Sequence, residues 1–216
     1  MPGLSRRLVL LQRDDPAGTV HVAVVDPGVG SVRRPIVIET AQGFLVGPDN
    51  GVLSLAAAHL GRRQVRCIEN ALFLRQPVSQ TFHGRDIFAP VAAHLSCGVA
   101  PDVLGSVVDS IVEVTLPTPR CTMSYVTGEV IYVDHFGNLV TNIDADALAR
   151  FPAQGLSVSI GATRVAGPVS AYAAVPEGAA LAVVGSWGVL EIAVRNGNAA
   201  QMFAAGPGTP VTVVVE

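Results

Sequence analysis

The stretch Thr19 to Pro35, TVHVAVVDPGVGSVRRP, constrains the fold of this chain more than any other. Val20 to Val25 is almost continuously apolar, a pattern that predicts a strand covered on both faces in a parallel sheet. Asp26 closes the run, and the Pro-Gly-Val-Gly after it cannot continue a regular strand. Asp26 is therefore expected at the carboxyl end of a buried strand, where open α/β sheets collect ligands. Arg33 and Arg34 follow across a glycine turn that lets backbone and side chains crowd one point. A carboxylate facing a guanidinium at a strand end is either a fold-holding ion pair or part of a site.

The next segments alternate between strand and helix. Ile36 to Glu39 and Gly43 to Val46 read as short strands, Leu53 to Leu60 as a helix stopped by Gly61, and Gln64 to Ile68 as a further strand. Thr81-Phe-His-Gly-Arg-Asp86 leads into a helix from Ile87 to Ser96 that Gly98 terminates. Strands separated by helices indicate a layered α/β domain with a mostly parallel sheet, placed at residues 1–119. Beyond Pro117-Thr-Pro119 the segments turn short and β-like: Gly128 to Asp134, Asn138 to Asn142, Leu156 to Ile160, Leu181 to Val184, Val189 to Val194 and Val211 to Val215. Only Ala145 to Arg150 looks helical there. Residues 126–216 are accordingly expected to form a small all-β barrel.

Composition narrows the function classes. Half of the 216 residues are hydrophobic and 14% are charged, as in a compact globular protein. With a net charge of −3 and no Lys/Arg cluster longer than a pair, nothing suggests a nucleic-acid partner. Cys67, Cys97 and Cys121 are far apart and odd in number, which fits a reducing compartment and neither a disulfide framework nor a cysteine zinc site. Arg6 and Arg7 before four apolar residues look faintly like a signal peptide, but Gln12 to Asp15 cut the run short. No apolar segment reaches the length of a membrane span, so a cytoplasmic protein is expected.

Five polar, glycine-containing stretches interrupt the apolar chain: DPGVGSVRR, GPDNG, TFHGRD, VDHFGNLVTN and GSWGVLEIAVRNGNAA. His83 is the most informative histidine, because Gly84 beside it lets a ligand approach the backbone. The plainer reading is that Thr81 to Asp86 caps the following helix, with Asp86 at its positive end. His21, His59 and His94 fall on strand or helix patterns and read as structural. His83, His135 and Asp26 form the one conceivable metal set, but no H-x-x-x-H or H-E-x-x-H pair supports it and no metal is expected. The G-x-x-x-x-G-K-[ST] loop and the G-x-S-x-G elbow are missing, and Gly28 to Gly30 is too short for a dinucleotide fingerprint.

In this order the five stretches resemble the adenosine-forming S-adenosyl-L-methionine hydrolases, also called hydroxide adenosyltransferases, which are related to enzymes that attach fluoride or chloride to the same substrate. VDPGVGSVRRP, FHGRDIFAP and DHFGNLVTNI carry the resemblance, which runs from about Gly18 to the end. It implies an α/β domain followed by a smaller β-barrel, a homotrimer with active sites between subunits, and no metal or organic cofactor. The implied reaction is attack of water on ribose C5′ of S-adenosyl-L-methionine, releasing adenosine and L-methionine. By motif the catalytic residues are Asp26, Arg33 and His83. Asp26 and His83 are expected to accept hydrogen bonds from the water, Arg33 to orient Asp26, and neutral His83 to take the proton. Such a polar triad implies water rather than a halide as nucleophile.

The same resemblance sets Asp134 against the methionine ammonium, Phe136 against adenine and Asn138 on the base edge. Ser186 and Trp187 reach the methionine carboxylate, Tyr172 supplies a second aromatic wall, and Asn196 and Gly197 touch adenine. Turn structure for Asn138, and core or interface packing for Tyr172 and Trp187, are the plainer readings. Relatives begin with a further strand ending in a Thr-Asp-Phe-Gly-like turn whose acid binds the ribose hydroxyls. Met1 to Asp15 contains nothing like it, so either the start is placed too late or the first domain lacks that strand and that anchor. Two other readings stay open: a halogenase of the same fold, and a catalytically silent protein that binds adenosine or S-adenosylmethionine.

Overall fold

The computed structural model describes residues 15–152 and 156–215. Met1 to Asp14, with the signal-like run, lies outside them. The chain divides into two compact units, one ending at Thr115 and one beginning at Leu116. Among the described residues no helix is long and apolar enough to cross a membrane.

The first unit is built on a four-stranded sheet of β1 (Thr19–Val22), β2 (Pro35–Thr40), β3 (Gly43–Pro48) and β4 (Arg62–Cys67), in the order β1-β3-β2-β4. Alternate residues of the central strands point to opposite faces. Ile36, Ile38 and Leu45 pack with Leu53, Ala56 and Ala57 around helix α1 (Ser54–His59). Val37 and Val46 pack with Phe88, Val91 and Leu95 on the other face, around a π-helical turn (Gly84–Phe88) and helix α2 (Ala89–Ser96). Helices thus cover both faces, and the layered α/β architecture expected from the sequence is present.

Its strand directions are not those expected. Only β1 and β3 run parallel, while β2 pairs antiparallel with both β3 and β4. The cause is the two-residue link Ala41-Gln42, too short for a crossover and suited to a hairpin. The Thr40 hydroxyl accepts from Gly43 N at 3.0 Å and donates to Gly43 O at 2.9 Å, closing that turn. The double cover expected for Val20 to Val25 is also corrected. Regular pairing stops at Val22, and Val22, Val24 and Val25 are exposed, because β1 has only one neighbouring strand among the described residues.

The second unit is a closed barrel. Its strands are β5 (Arg120–Cys121), β6 (Tyr125–Val133), β7 (Leu139–Asp144), β8 (Leu156–Ile160), β9 (Thr163–Val169), β10 (Ala180–Val184), β11 (Val189–Val194) and β12 (Pro210–Val215). Seven of them form the ring β12-β8-β9-β10-β11-β7-β6, closed by β6 pairing with β12, and β5 adds to β6. Closure removes the exposed edges that an open sheet would present. Val126, Val130, Leu139, Ile143, Leu190, Ile192, Val211 and Val213 fill the interior. Short helices α3 (Ala145–Leu148) and α4 (Ala199–Met202) follow β7 and β11, capped by Asp144 and Asn198.

Candidate functional site

The link from β1 to β2 is what places the first group. Past Val22 the chain stays tied to the sheet by Ala23 N donating to Val46 O at 3.1 Å. Asn50, from GPDNG, donates its Nδ2 to Val25 O at 2.9 Å and so fixes the residue before Asp26. Two successive turns follow, Val29 N to Asp26 O at 3.2 Å and Ser31 N to Gly28 O at 3.1 Å. Gly30 sits at φ +79, and a Cβ there would stand 2.8 Å from Gln80 O. Only glycine lets this loop approach the segment that carries His83 so closely.

The turns bring Asp26, Arg33 and His83 together. Arg33 Nε donates to Asp26 Oδ1 at 3.0 Å, and Nη2 donates to Asp26 Oδ2, a bidentate pair. Nη2 also meets His83 Nδ1 at 2.5 Å, and the guanidinium lies 5.4 Å over the Phe88 ring. Only 9% of the Arg33 side chain and 5% of the Asp26 side chain are exposed. Arg33 Nη1 is buried with no hydrogen-bond partner among the described residues. The three side chains form one connected, part-buried polar group.

The same geometry assigns the His83 proton. A guanidinium only donates, so Nδ1 must accept from it, and a neutral imidazole then carries its hydrogen on Nε2. His83 presents a donor, not an acceptor, at the nitrogen that Arg33 leaves open. In this arrangement the Nδ1 lone pair faces Arg33, so the open nitrogen is not the acceptor that the sequence reading assigned to it. Burial, reinforced by the Arg33 charge, lowers the His83 pKa; the Asp26 and Asp86 carboxylates oppose this and do not outweigh it. This direction favours the neutral imidazole.

Arg34 takes no part in this group. It pairs with Asp49, Nε at 2.9 Å and Nη2 at 2.5 Å, and donates to Ser110 O at 2.8 Å. Asp86 does not cap a helix, contrary to the plainer reading of TFHGRD. Its fully buried carboxylate accepts from Ser79 N at 2.9 Å, from Arg75 Nη1 at 3.1 Å and from Arg85 Nε at 2.7 Å. These donors hold its pKa far below the usual carboxylate range.

In the second unit the predicted binding residues fall into two neighbourhoods. Asp134 closes the β6–β7 turn, its Oδ1 accepting from Phe136 N at 2.8 Å and Asn138 N at 2.9 Å, and its Oδ2 from Asn138 Nδ2 at 2.9 Å. That orients the Asn138 amide and leaves its carbonyl oxygen for another donor. Phe136, 74% exposed on this turn, has no core role. The turn is stitched to the loop after β11 by Ala200 N donating to Gly137 O at 2.9 Å, and a Cβ on Gly137 would collide with the Asn198 side chain. Asn196, at φ 54, and Gly197 are on this loop, exposed, just before Asn198. Phe136, Asn138, Asn196 and Gly197 thus share one rim.

Ser186 and Trp187 form the tip of the β10–β11 hairpin, where Trp187 stacks on Tyr132 with ring centroids 5.8 Å apart. Tyr172 donates its hydroxyl to Glu191 Oε2 at 3.1 Å. Glu191 is a residue that sequence reasoning missed. It is buried in β11, Gly185 lacks a side chain where the carboxylate lies, and both Glu191 and Tyr172 sense the Asp134 charge. Burial, with Asp134 adding to it against the Tyr172 bond, raises the Glu191 pKa, and burial first and Glu191 second push the Tyr172 hydroxyl up to about 12. The one signal in the sequence was an acid inside an otherwise apolar strand, VLEIAV. Among the described residues no group of three or more His, Cys, Asp and Glu side chains is placed to hold a metal ion.

Comparison with known proteins identifies both parts of the chain. Residues 7–105 match the SAM hydroxide adenosyltransferase N-terminal domain, and residues 128–212 match the C-terminal domain of the same family. A protein of Salinispora arenicola named (R)-S-adenosyl-L-methionine hydrolase is 42% identical over 197 residues, 90% of this chain and 74% of its own. The crystal structure of an uncharacterized conserved protein from Thermotoga maritima superposes with a TM-score of 0.84 at 37% identity, covering 98% of this chain and 82% of that one. A fluorinase of Actinoplanes sp. is more distant, 27% identical over 68% of this chain and 58% of its own. Both matched domains, in their order and over most of the sequence, show that the chain belongs to the SAM hydroxide adenosyltransferase family.

Proposed function

We propose that this protein hydrolyses S-adenosyl-L-methionine to adenosine and L-methionine, with Asp26, Arg33 and His83 holding the attacking water. The observation that carries the reading is the part-buried Asp26–Arg33–His83 group, joined by hydrogen bonds through the Arg33 guanidinium. The C5′–O bond forms as the C5′–S bond breaks, and the electron pair leaves with sulfur as a neutral thioether. No general acid is needed for such a leaving group. The difficulty lies with water, a weak nucleophile that must be aimed in line behind C5′.

Asp26 keeps lone pairs beyond those bonded by Arg33, and these accept the water's hydrogens. His83 Nε2–H donates to the water oxygen, leaving one oxygen lone pair for carbon. The proton given up as C5′–O forms passes to Asp26 and then to solvent. Arg33 locks the other two groups, so that positioning supplies much of the rate. The second unit of a neighbouring subunit supplies binding. Phe136 stacks on adenine, the Asn138 carbonyl accepts from the exocyclic amine, and Asn196 and Gly197 line the base. Asp134 and the missed Glu191 attract the ammonium, Ser186 and Trp187 hold the methionine carboxylate, and Tyr172 steadies Glu191. The active form is a homotrimer, and no metal or organic cofactor takes part.

The test is incubation of the purified chain with each sulfonium epimer of S-adenosyl-L-methionine, with and without excess chloride, and chromatography of the products. Adenosine plus methionine, unaffected by chloride, is expected, and the R epimer is expected to react because the relatives' names specify it. A 5′-chloro nucleoside would move the protein to the halogenase reading. Binding without turnover would make it a silent binder.

A further inference from the structure

His83 is held in place by something other than Arg33. The segment from Leu74 to His83 contains no regular strand or helix, yet it must present one imidazole nitrogen to a buried guanidinium. Asp86 is the group to which this segment is tied. Its carboxylate accepts from Ser79 N at 2.9 Å and Arg75 Nη1 at 3.1 Å, and its own carbonyl accepts from Arg75 N at 2.9 Å. Arg75 and Ser79 are thus both fastened to the Asp86 side chain, three residues beyond His83. Arg85 closes the arrangement, with Nε at 2.7 Å and Nη2 at 2.9 Å from the same carboxylate while lying 5.1 Å over the exposed Phe82 ring. The turn that carries Asp86 is π-helical, a form that recurs at functional sites because it re-aims side chains.

We infer that Asp86 is a positioning residue for His83, its carboxylate holding residues 75–86 in the conformation that offers Nδ1 to Arg33. The inference rests on the reading of Asp26, Arg33 and His83 as the catalytic group. Asp86 acts in two ways. It fastens the segment mechanically, and it is one of two anions, with Asp26, that face the imidazole against the Arg33 charge. The Asp86 charge acts to raise the His83 pKa, a contribution that a purely mechanical tie would not make.

The experiment follows the imidazole directly by nitrogen and carbon NMR in the full chain, with H83Q used to assign its signal among the five histidines. The parent is expected to show one neutral tautomer, with hydrogen on Nε2, and a midpoint below that of an ordinary histidine. D86N removes the charge and is expected to shift that midpoint lower still and to mix the two tautomers. R85Q keeps the charge but removes two of the four hydrogen bonds. It is expected to mix the tautomers without lowering the midpoint. Both variants are expected to lose between about tenfold and a hundredfold in kcat with KM unchanged, as misaligned groups do, and D86E to recover part of the loss. A folded D86N with the parent's midpoint and tautomer overturns the inference. If D86N does not fold, an unchanged tautomer and kcat in R85Q overturn it instead. A parent that fails to turn over the substrate while its His83 still responds to D86N would refute the catalytic reading and leave the positioning role standing.

Discussion

Replacing Arg33 by lysine separates charge from geometry in the catalytic group. The parent guanidinium makes three bonds at once, to both Asp26 oxygens and to His83 Nδ1. A lysine ammonium keeps the charge, but from a single nitrogen it cannot span Asp26 Oδ1, Oδ2 and the imidazole together. At least the bond to His83 is lost, and with it the restriction to one tautomer. A hydrogen bond involving a charged group is worth about 1.5–3 kcal/mol. If that much is missing from the transition state, kcat falls by roughly tenfold to about 150-fold. R33M goes further, leaving the Asp26 carboxylate buried beside no cation, which costs about 3–5 kcal/mol of stability. The double variant D26N/R33M is expected to regain much of that stability and none of the activity. Adenosine release measured by chromatography, with melting curves on the same samples, reads both effects. An R33K enzyme within threefold of the parent kcat would refute the claim that a rigid three-way lock aims the water.

Three further outcomes follow. His83 has a lowered pKa and must be neutral for Nδ1 to accept from Arg33, so kcat/KM should stay flat through neutrality and fall only below the ordinary histidine value of 6.5. In that same window the unfolded chain binds more protons, so His83 makes stability fall as pH falls; an acid limb centred above 6.5 would contradict the tautomer assignment. F136A removes an exposed ring and should leave melting unchanged, while KM rises as expected for a lost base stack of about 1–3 kcal/mol; unchanged KM would take Phe136 out of the site. Glu191 has a raised pKa, so its ionised form costs stability above the ordinary carboxylate range, and E191Q should melt higher at neutral pH, with the gain vanishing as pH falls through that range. The same variant should bind the cationic substrate more weakly, and a lower melting temperature at neutral pH would defeat the reasoning.

The sequence and the structure agree best where glycine meets a charge. Asp26, Arg33 and His83 were singled out through the motifs DPGVGSVRR and FHGRD and the resemblance these carry, and the structure brings the three side chains together. Closure of the barrel was legible in outline from short strands at regular intervals, but β9 was missed because Gly167 and Pro168 interrupt it and read as a break. Strand direction in the first sheet was not legible from apolarity. The Val20 to Val25 run suggested cover on both faces, and only the two-residue link at Ala41-Gln42 carries the information that the neighbouring pair is a hairpin. The tautomer of His83 was invisible for a different reason: it depends on which nitrogen meets Arg33, a contact between residues fifty positions apart. Asp86 and Glu191 were misjudged or missed because a buried acid announces itself through its partners, and these come from Arg75, Ser79 and Arg85 in one case and from Tyr172 in the other.

The central claim, that water held by Asp26 and His83 attacks C5′, is tested most directly by running the reaction in water enriched in oxygen-18 and analysing both products by mass spectrometry. The account predicts one heavy oxygen in the 5′-hydroxyl of adenosine and none in methionine, and loss of that labelled adenosine in D26N. Heavy oxygen appearing in the methionine-derived product, or a nucleoside carrying halide in place of the 5′-hydroxyl, would contradict it.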